Sequence, residues 1–595
     1  MIRSTLLLAG ALVLTAISAN AQRKEPLPHA MAPWEQAMVP DYRRSRAHLE
    51  RGITTPPDLP VRTMAEWEEI QSLLVTWAGY EPILKQIIRQ AKDECEVIVV
   101  CDDSAAVTSY LQNGLYGGPI TDLQNITLIE GPYNSIWARD YGAETIYQNG
   151  VDSLFLLDWI YNRPRPLDDV LPELVATEEN IGIYSTTQAP YDLVHTGGNF
   201  MTDGFGTAFS SDLVLDENGP DGQFNQTVKT EAQVDSLMHA WMGIDFGRYI
   251  KMPTLPYDVI HHIDMHMKLL DEETLLVGDF PVGTSDGPQI EDNLDDVLAN
   301  YNSVFGTPYK VIRIPMVPST GGNYPPGGSY RTYTNFVFVN GTVLVPTYRE
   351  EYDTLALRII QESLPGHHVV GIDCDDPGAN IIASLGAIHC ITKGSGVADP
   401  LLIRHQPLHD TYNVVDPYPV TALIRHRSGI ASAELYWTTD TANGFSSLPM
   451  AATGDDHWAA AIPAQPAGSE VHYYVHATAN NGKQQVRPIV APAGWWRFQV
   501  LGSSAGIAET PGSFITDVFP NPASRVMEVR IGLPPGEPVR VEILDALGRV
   551  VLRLHNGPVP ADGRVFADVS DFAPGAYLIE ARTSQGRAVQ RLVVK

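Results

Sequence analysis

At 595 residues the chain exceeds what one hydrophobic core sustains, so several domains are expected. Its 44% apolar content is ordinary and supplies material for sizeable cores. A net charge of −30 argues against nucleic acid or an anionic membrane as partner and favours a cationic substrate. Four cysteines, Cys95, Cys101, Cys374 and Cys390, are too few for a disulfide scaffold. Cys95 and Cys101, at the two ends of one expected strand, are poorly placed to pair.

The opening MIRSTLLLAGALVLTAISANAQ joins a basic Arg3, an apolar run from Leu6 to Ile17 and the small-residue site Ala19-Asn20-Ala21. That pattern predicts a signal peptide over 1–21, since the run is too short to span a bilayer. No later run is long enough for a membrane helix. Residues 22–60, rich in Pro, Arg and Ala, read as a flexible leader or pro-segment, removed or wrapped on the surface.

From 61 to 398 strands alternate with helical patterns. IQSLLVTWAG reads as a strand, ILKQIIRQAKDE as a helix opened by Pro82, CEVIVVC as a buried strand, and Asp102 or Asp103 with Ser104 as a helix cap. DSLFLLDW, TLLVGDF, YKVIRIP, GTVLVPTY and VVGIDC continue the series, which taken alone suggests a doubly wound α/β sheet. Over 399–502 helical patterns vanish and short alternating strands predict an immunoglobulin-like β-sandwich. A linker leads to a small all-β domain over 513–595.

The chemistry centres on GAIHCITKG, where small residues surround Cys390 and His389 offers a base or hydrogen bond. Alone, a cysteine of this kind reads equally well as an inert core residue. Upstream stand IWARD (Trp137, Asp140), HTGGN (Gly197, Gly198, Asn199), HHID (His262, Asp264) and TYTN (Asn335). His261, His262 and His266 lack the helical spacing of a zinc site, so no metal is expected. The acidic stretch 211–226 lacks the calcium-loop spacing and reads as a solvated loop.

Together these motifs resemble the bacterial peptidylarginine deiminase and agmatine deiminase family of guanidine-modifying enzymes. The resemblance implies a pseudo-fivefold α/β propeller (pentein), a closure that periodicity does not supply, and no cofactor. It implies Cys390 as nucleophile, Asp140 and Asp264 as the carboxylates gripping a guanidinium, His262 as general acid and base, and Asn335 as an orienting amide. A thiolate suits attack on a resonance-stabilised guanidinium carbon at neutral pH. In a strand His262 and Asp264 would share one face. Gly197 and Gly198 allow close backbone approach to a ligand, Asn199 completes that turn, and Trp137 could cover an arginine stem.

YNRPRPLDD places Arg163 and Arg165 one proline apart. They resemble the pair with which secreted peptidylarginine deiminases clamp a C-terminal carboxylate, and agmatine has no carboxylate to clamp. The bland reading pairs them with Asp168 and Asp169 in an exposed loop. Three alternatives stay open: an agmatine or free-arginine deiminase, an amidinotransferase, and a catalytically silent surface adhesin. VFPNPAS, VEILDALGRVV and APGAYLIEA, with the basic tail, resemble the C-terminal sorting domain of type IX secretion substrates. That implies the type IX machinery as partner and a secreted or cell-surface location, with arginine peptides or a small guanidine as substrate.

Overall fold

The computed structural model describes residues 26–46, 51–501 and 514–594, the last with short gaps at 524, 546–548, 571 and 584–585. The signal-peptide segment and the linker therefore lie outside the described residues. Two compact units account for the rest. The larger is drawn from Met1–Leu408, Pro417–Ile462 and Val471–Arg497, the smaller from His409–Asp416, Pro463–Glu470 and Phe498–Lys595.

In the larger unit the alternating elements form five separate small sheets instead of one continuous sheet. Four repeat one plan: a short strand, an antiparallel central strand, a helical crossover, then a strand parallel to the centre. These are Glu144–Gln148 with Ser153–Trp159 and Gly182–Thr186, and Met201–Thr202 with Ala208–Ser211 and Tyr249–Met252. Met267–Leu269 with Thr274–Asp279 and Lys310–Pro315 follows, then Val337–Val339 with Thr342–Thr347 and His368–Asp373. The fifth sheet obeys the same plan across the whole region. Its central strand Ile70–Thr76 and parallel strand Glu96–Cys101 come early, but its short strand Lys393–Gly396 comes last, pairing Lys393 with Leu74. The chain end thus returns to its beginning, and Cys390 arrives beside the first sheet.

Local sequence explains the elements. Helix Glu81–Ala91 buries Ile83, Leu84, Ile87, Ile88 and Ala91, one apolar stripe at helical spacing. Asp103 caps helix Ser104–Leu111 by accepting from Ala106 N at 2.9 Å. Strand Glu96–Cys101 carries the apolar run Val97–Cys101 because it is buried on both faces, and Ile70–Thr76 beside it is buried along nearly its whole length.

Two departures from expectation bear on function. The stretch taken as a flexible leader is ordered where described: Glu35–Met38 and Val39–Arg46 are helical, with Val39, Tyr42 and Arg46 buried. Arg46 pairs with buried Asp169, which gives a charged helix a reason to dock. The acidic stretch holds a helix, Leu213–Asn218, whose Val214 and Asn218 are buried; Asn218 brackets Val194 through both its amide atoms.

Within the larger unit, strands 402–404, 418–425, 451–454 and 457–462 form one antiparallel sheet, and 430–438, 446–449, 470–479 and 484–487 belong to another. Lys483 and Gln485 meet Glu69, and Arg487 meets Glu272, tying these strands to the α/β sheets. In the smaller unit a three-stranded and a four-stranded sheet share a core that includes Met527, Val529, Val541, Ile543, Ile579 and Leu592.

Ile98 lies fully buried at the centre of the closing sheet. Ile98→Ala is expected to destabilise that region by about 2–5 kcal/mol. The check is a lower urea midpoint for its unfolding transition. An unchanged midpoint would show that the closing sheet is not part of the cooperative core.

Candidate active site

Each of the five short strands is preceded by a tight turn, and the polar motifs sit in those turns. Ala138–Tyr141 precedes the first sheet, Gly197–Asn199 the second, Ile263–Met265 the third, Thr332 to Asn335 the fourth, and His389–Ile391 the strand that closes the fifth. Five sequence-distant loops therefore meet at one end of the sheets. His262 and Asp264 are not on a strand: His262 is extended, and Asp264 lies in a single 3-10 turn. The turn still directs both side chains inward, since both are buried.

Cys390 Sγ lies 3.6 Å from Asp264 Oδ2 and 3.1 Å from Asn335 Nδ2. Asn335 also receives the His389 amide on Oδ1 at 3.2 Å, fixing the turn that carries the sulfur. His262 Nδ1 stands 3.6 Å from Asp140 Oδ1, and its Nε2 is 3.1 Å from Thr196 Oγ1. Gly198 is needed here: a Cβ would fall 2.5 Å from His262 Nδ1 and 3.1 Å from Asp140 Oδ1. Gly197 backs onto the Arg139 carbonyl in the same way. Asn199 does not join this cluster; its Oδ1 accepts from Ser211 N at 2.8 Å, so it holds the turn against the second sheet.

Behind the site runs a chain of alternating charge. The His389 ring places Nδ1 at 2.7 Å from Asp264 Oδ2 and Nε2 at 2.5 Å from Glu66 Oε1. Glu66 in turn pairs with Arg139 at 2.8 Å and with Lys268. Glu66 is not among the site residues that the sequence motifs single out. His389 was legible only as the neighbour of the cysteine.

Burial alone would raise both carboxyls, yet each is held below its usual range. For Asp140 the opposing cause is His29 and then His262; for Asp264 it is His389. Burial brings His262 down to about 4, with Asp140 opposing. The Cys390 thiol is pushed well up, by burial first and then by Asp264 and Asp140. The resting pair is thus a neutral imidazole and a protonated thiol facing two carboxylates. Among the described residues, buried His262 Nδ1 and Asp264 Oδ1 make no hydrogen bond. Such groups are costly unless a ligand satisfies them.

Trp137 and the two arginines face the leader. The Trp137 ring lies flat against His29, centroids 4.2 Å apart and 8° from parallel. His29 Nε2 meets Asp140 Oδ2 at 2.5 Å. Arg163 Nε donates to the His29 carbonyl at 3.0 Å, and Arg165 grips Glu35 with Nε at 2.8 Å and Nη2 at 3.0 Å. Neither arginine takes Asp168 or Asp169 as hydrogen-bonding partner: Asp168 accepts from the Asn134 and Ser135 amides, and Asp169 pairs with Arg46 and Arg51. Arg163 also lines a cavity of about 520 Å³ with Glu217, Asp216 and Asp221.

His29, Asp140 and His262 bring donor atoms within 4.8 Å of one another. Two ligands of one tetrahedral zinc sit about 3.3 Å apart. The 2.5 Å His29–Asp140 contact is shorter and is that of a hydrogen bond.

A family model described as Porphyromonas-type peptidyl-arginine deiminase matches residues 62–395, and one described as Secretion system C-terminal sorting domain matches 517–595. A Mycoplasma capricolum protein named "Putative agmatine deiminase" is 25% identical over 299 residues, covering 45% of this chain and 77% of that protein. A crystal structure titled "Putative Arginine Deiminase from Porphyromonas gingivalis" is 22% identical, covers 56% of this chain and 98% of that one, and gives a TM-score of 0.48. The agmatine deiminase of Enterococcus faecalis gives 19% identity, coverage of 58% and 99%, and a TM-score of 0.47.

With its thiol pKa raised, Cys390 in the full chain should react with iodoacetamide at a rate still climbing as pH passes the ordinary cysteine value of about 8.5. A rate that levels off below that pH would show a stabilised thiolate instead.

Proposed function

The chain belongs to the Porphyromonas-type peptidyl-arginine deiminase family and is a hydrolase of amidine C–N bonds, and from that premise we propose that it converts peptidyl arginine, particularly C-terminal arginine, to citrulline and ammonia. The observation that carries this reading is the convergence of Asp140, His262, Asp264, Asn335 and Cys390 from four of the five turns beside two buried arginines. We take the five sheets as blades of a pseudo-fivefold propeller and the two antiparallel sheets after it as an immunoglobulin-like sandwich. The type IX secretion C-terminal sorting domain marks the protein for secretion or cell-surface export. No helix among the described residues is long and apolar enough to cross a membrane.

In this mechanism Asp140 and Asp264 hold the planar cation by its N–H edges, and Asp264 Oδ1 gains the donor it lacks. The added positive charge offsets the two carboxylates that disfavour the thiolate. The thiol proton then passes to neutral His262, and sulfur bonds to the guanidinium carbon. The imidazolium returns the proton to one amino nitrogen, the C–N bond breaks, and ammonia leaves a thiouronium. His262 next takes a proton from water as its oxygen bonds to that carbon. The C–S bond breaks, the ureido product forms as its O–H proton passes to the thiolate, and the imidazolium gives up its proton to solvent, where the released ammonia takes it up as ammonium. Asn335, donating to sulfur, keeps the nucleophile aimed throughout.

Arg163 and Arg165 decide between substrates in this reading. Both are buried, and in the structure they grip a peptide carbonyl and a carboxylate, the groups a C-terminal arginine offers. Agmatine offers neither. The agmatine reading is favoured by the names of the curated relatives and shares the catalytic residues.

Purified protein and its Cys390→Ala variant are to be assayed for citrulline or carbamoyl product with a C-terminal arginine peptide, its amide, free arginine and agmatine. The free-carboxylate peptide is expected to turn over best and Cys390→Ala to abolish turnover. Arg165→Ala should lower kcat/KM for that peptide by about tenfold or more while sparing the amide. Turnover confined to agmatine would overturn the peptide assignment, and turnover without Cys390 would overturn the mechanism.

A further inference from the structure

The cleft just described is already filled. Residues 26–46 thread through it, and their contacts take up Asp140, Trp137 and both arginines, part of what the proposed substrate would engage. The chain enters with Leu27 O accepting from Trp137 Nε1 at 3.0 Å and Pro28 O accepting from Arg165 Nη2 at 2.8 Å. His29 N then donates to Ser384 O at 3.0 Å, fixing the backbone over the loop that leads to the cysteine. The His29 side chain is fully buried. Its Nδ1 faces Leu385 O at 2.7 Å and its Nε2 faces Asp140 Oδ2 at 2.5 Å. Both partners are acceptors, so the ring satisfies both only with a proton on each nitrogen, as a planar cation.

The location is as telling as the charge. A Cβ built on Gly386 would lie 3.1 Å from His29 Nδ1, 3.1 Å from Cys390 Cβ and 2.5 Å from the Trp137 ring. The imidazole therefore sits against the same glycine as the nucleophile, under the tryptophan and edge-on to His262 at 5.0 Å. Downstream, Glu35 puts its carboxylate on Arg165 and holds it there by accepting from Ala32 N at 2.7 Å. The helix Val39–Arg46 completes the seat: Tyr42 packs on Phe224, and Arg46 reaches Trp159 O at 3.3 Å besides its pair with Asp169.

We propose that residues 26–46 are a tethered pseudosubstrate: His29 stands in for the arginine guanidinium and Glu35 for the carboxylate, so the uncut chain turns over slowly and proteolytic release of the leader speeds it. The site accepts His29 but does not consume it. Both nitrogens flanking the imidazole carbon are closed into an aromatic ring, so no amine can depart from it. The consequence for activity rests on the arginine-deiminase reading above, whereas the occupancy of the cleft does not. The seat also has a chemical signature of its own. With the leader seated, Cys390 has no exposed surface.

The test compares full-length wild type with the double variant His29→Ala, Glu35→Ala in the same chain, neither residue belonging to the catalytic set. Cys390 alkylation by iodoacetamide and citrulline release from a C-terminal arginine peptide are measured side by side, with thermal midpoints confirming that both proteins are folded. Loss of one charge-assisted pair at each position is expected to raise both rates about ten- to a hundredfold. Equal alkylation rates in folded wild type and variant would overturn the pseudosubstrate. Faster alkylation without citrulline from either protein would keep the seated leader and overturn the deiminase reading. Citrulline released equally fast by both would keep the deiminase reading and overturn latency. As a second arm, a synthetic peptide of residues 26–46 should inhibit the double variant competitively, and its His29→Ala form should not.

Discussion

Two carboxylates buried beside a thiol are the constraint around which the structure is arranged. Removing a carboxylate from water is costly unless a cation and hydrogen bonds replace the lost hydration. Asp264 is answered from within the sheets: His389 faces it, Glu66 faces His389, and Arg139 and Lys268 face Glu66. The alternation of acidic and basic partners offsets the hydration lost on burial. Asp140 is answered differently. Its short partner is His29, supplied by a segment outside the five sheets. Asp264 thus has its partner within the sheets, whereas Asp140 draws its short partner from outside them; in the proposed function a guanidinium would take that place and reach Asp264 as well.

The same constraint favours the protonated thiol at rest. Two negative groups and full burial disfavour the thiolate, and only a cation placed between sulfur and carboxylates reverses that balance. In the proposed reaction, activation is thereby coupled to occupancy by the right charge. A free thiolate in an exported enzyme would be open to oxidation and adventitious electrophiles. A thiol that ionises with its substrate in place is protected by the same electrostatics that select the substrate.

Much of this was legible in sequence, for identifiable reasons. Asp140, His262, Asp264, Asn335 and Cys390 lie in short motifs whose residue types are rare together, and each motif falls just before a short strand. The strands and the helices at Glu81–Ala91 and Ser104–Leu111 follow from burial patterns and caps that are local. What failed was non-local. The repeated plan of the five sheets is carried by pairing direction, which hydrophobic periodicity does not encode, so one continuous sheet looked equally good. His262 and Asp264 were expected on a strand because extended His262 leads straight into a single turn, and two residues cannot distinguish the two. Asn199 has the composition of a ligand-binding turn but serves Ser211. Glu66 and His29 gain their roles from partners distant in sequence, and no local pattern signals them.

The leader shows how modest contacts can govern a cleft. Its anchors are few: one ring, a handful of backbone carbonyls, one carboxylate on Arg165 and a helix docked through Arg46. As a free peptide such a set would compete poorly with abundant substrate. Tethered, it faces the cleft at an effective concentration on the order of millimolar. Closure then depends on the covalent link more than on intrinsic affinity. That division has a consequence for the sequence of the segment. It need not be optimised for binding, and a histidine, weaker than arginine as a partner for two carboxylates yet inert to the nucleophile, is the better choice. An arginine at position 29 would bind more tightly and would present the very carbon that the thiol attacks.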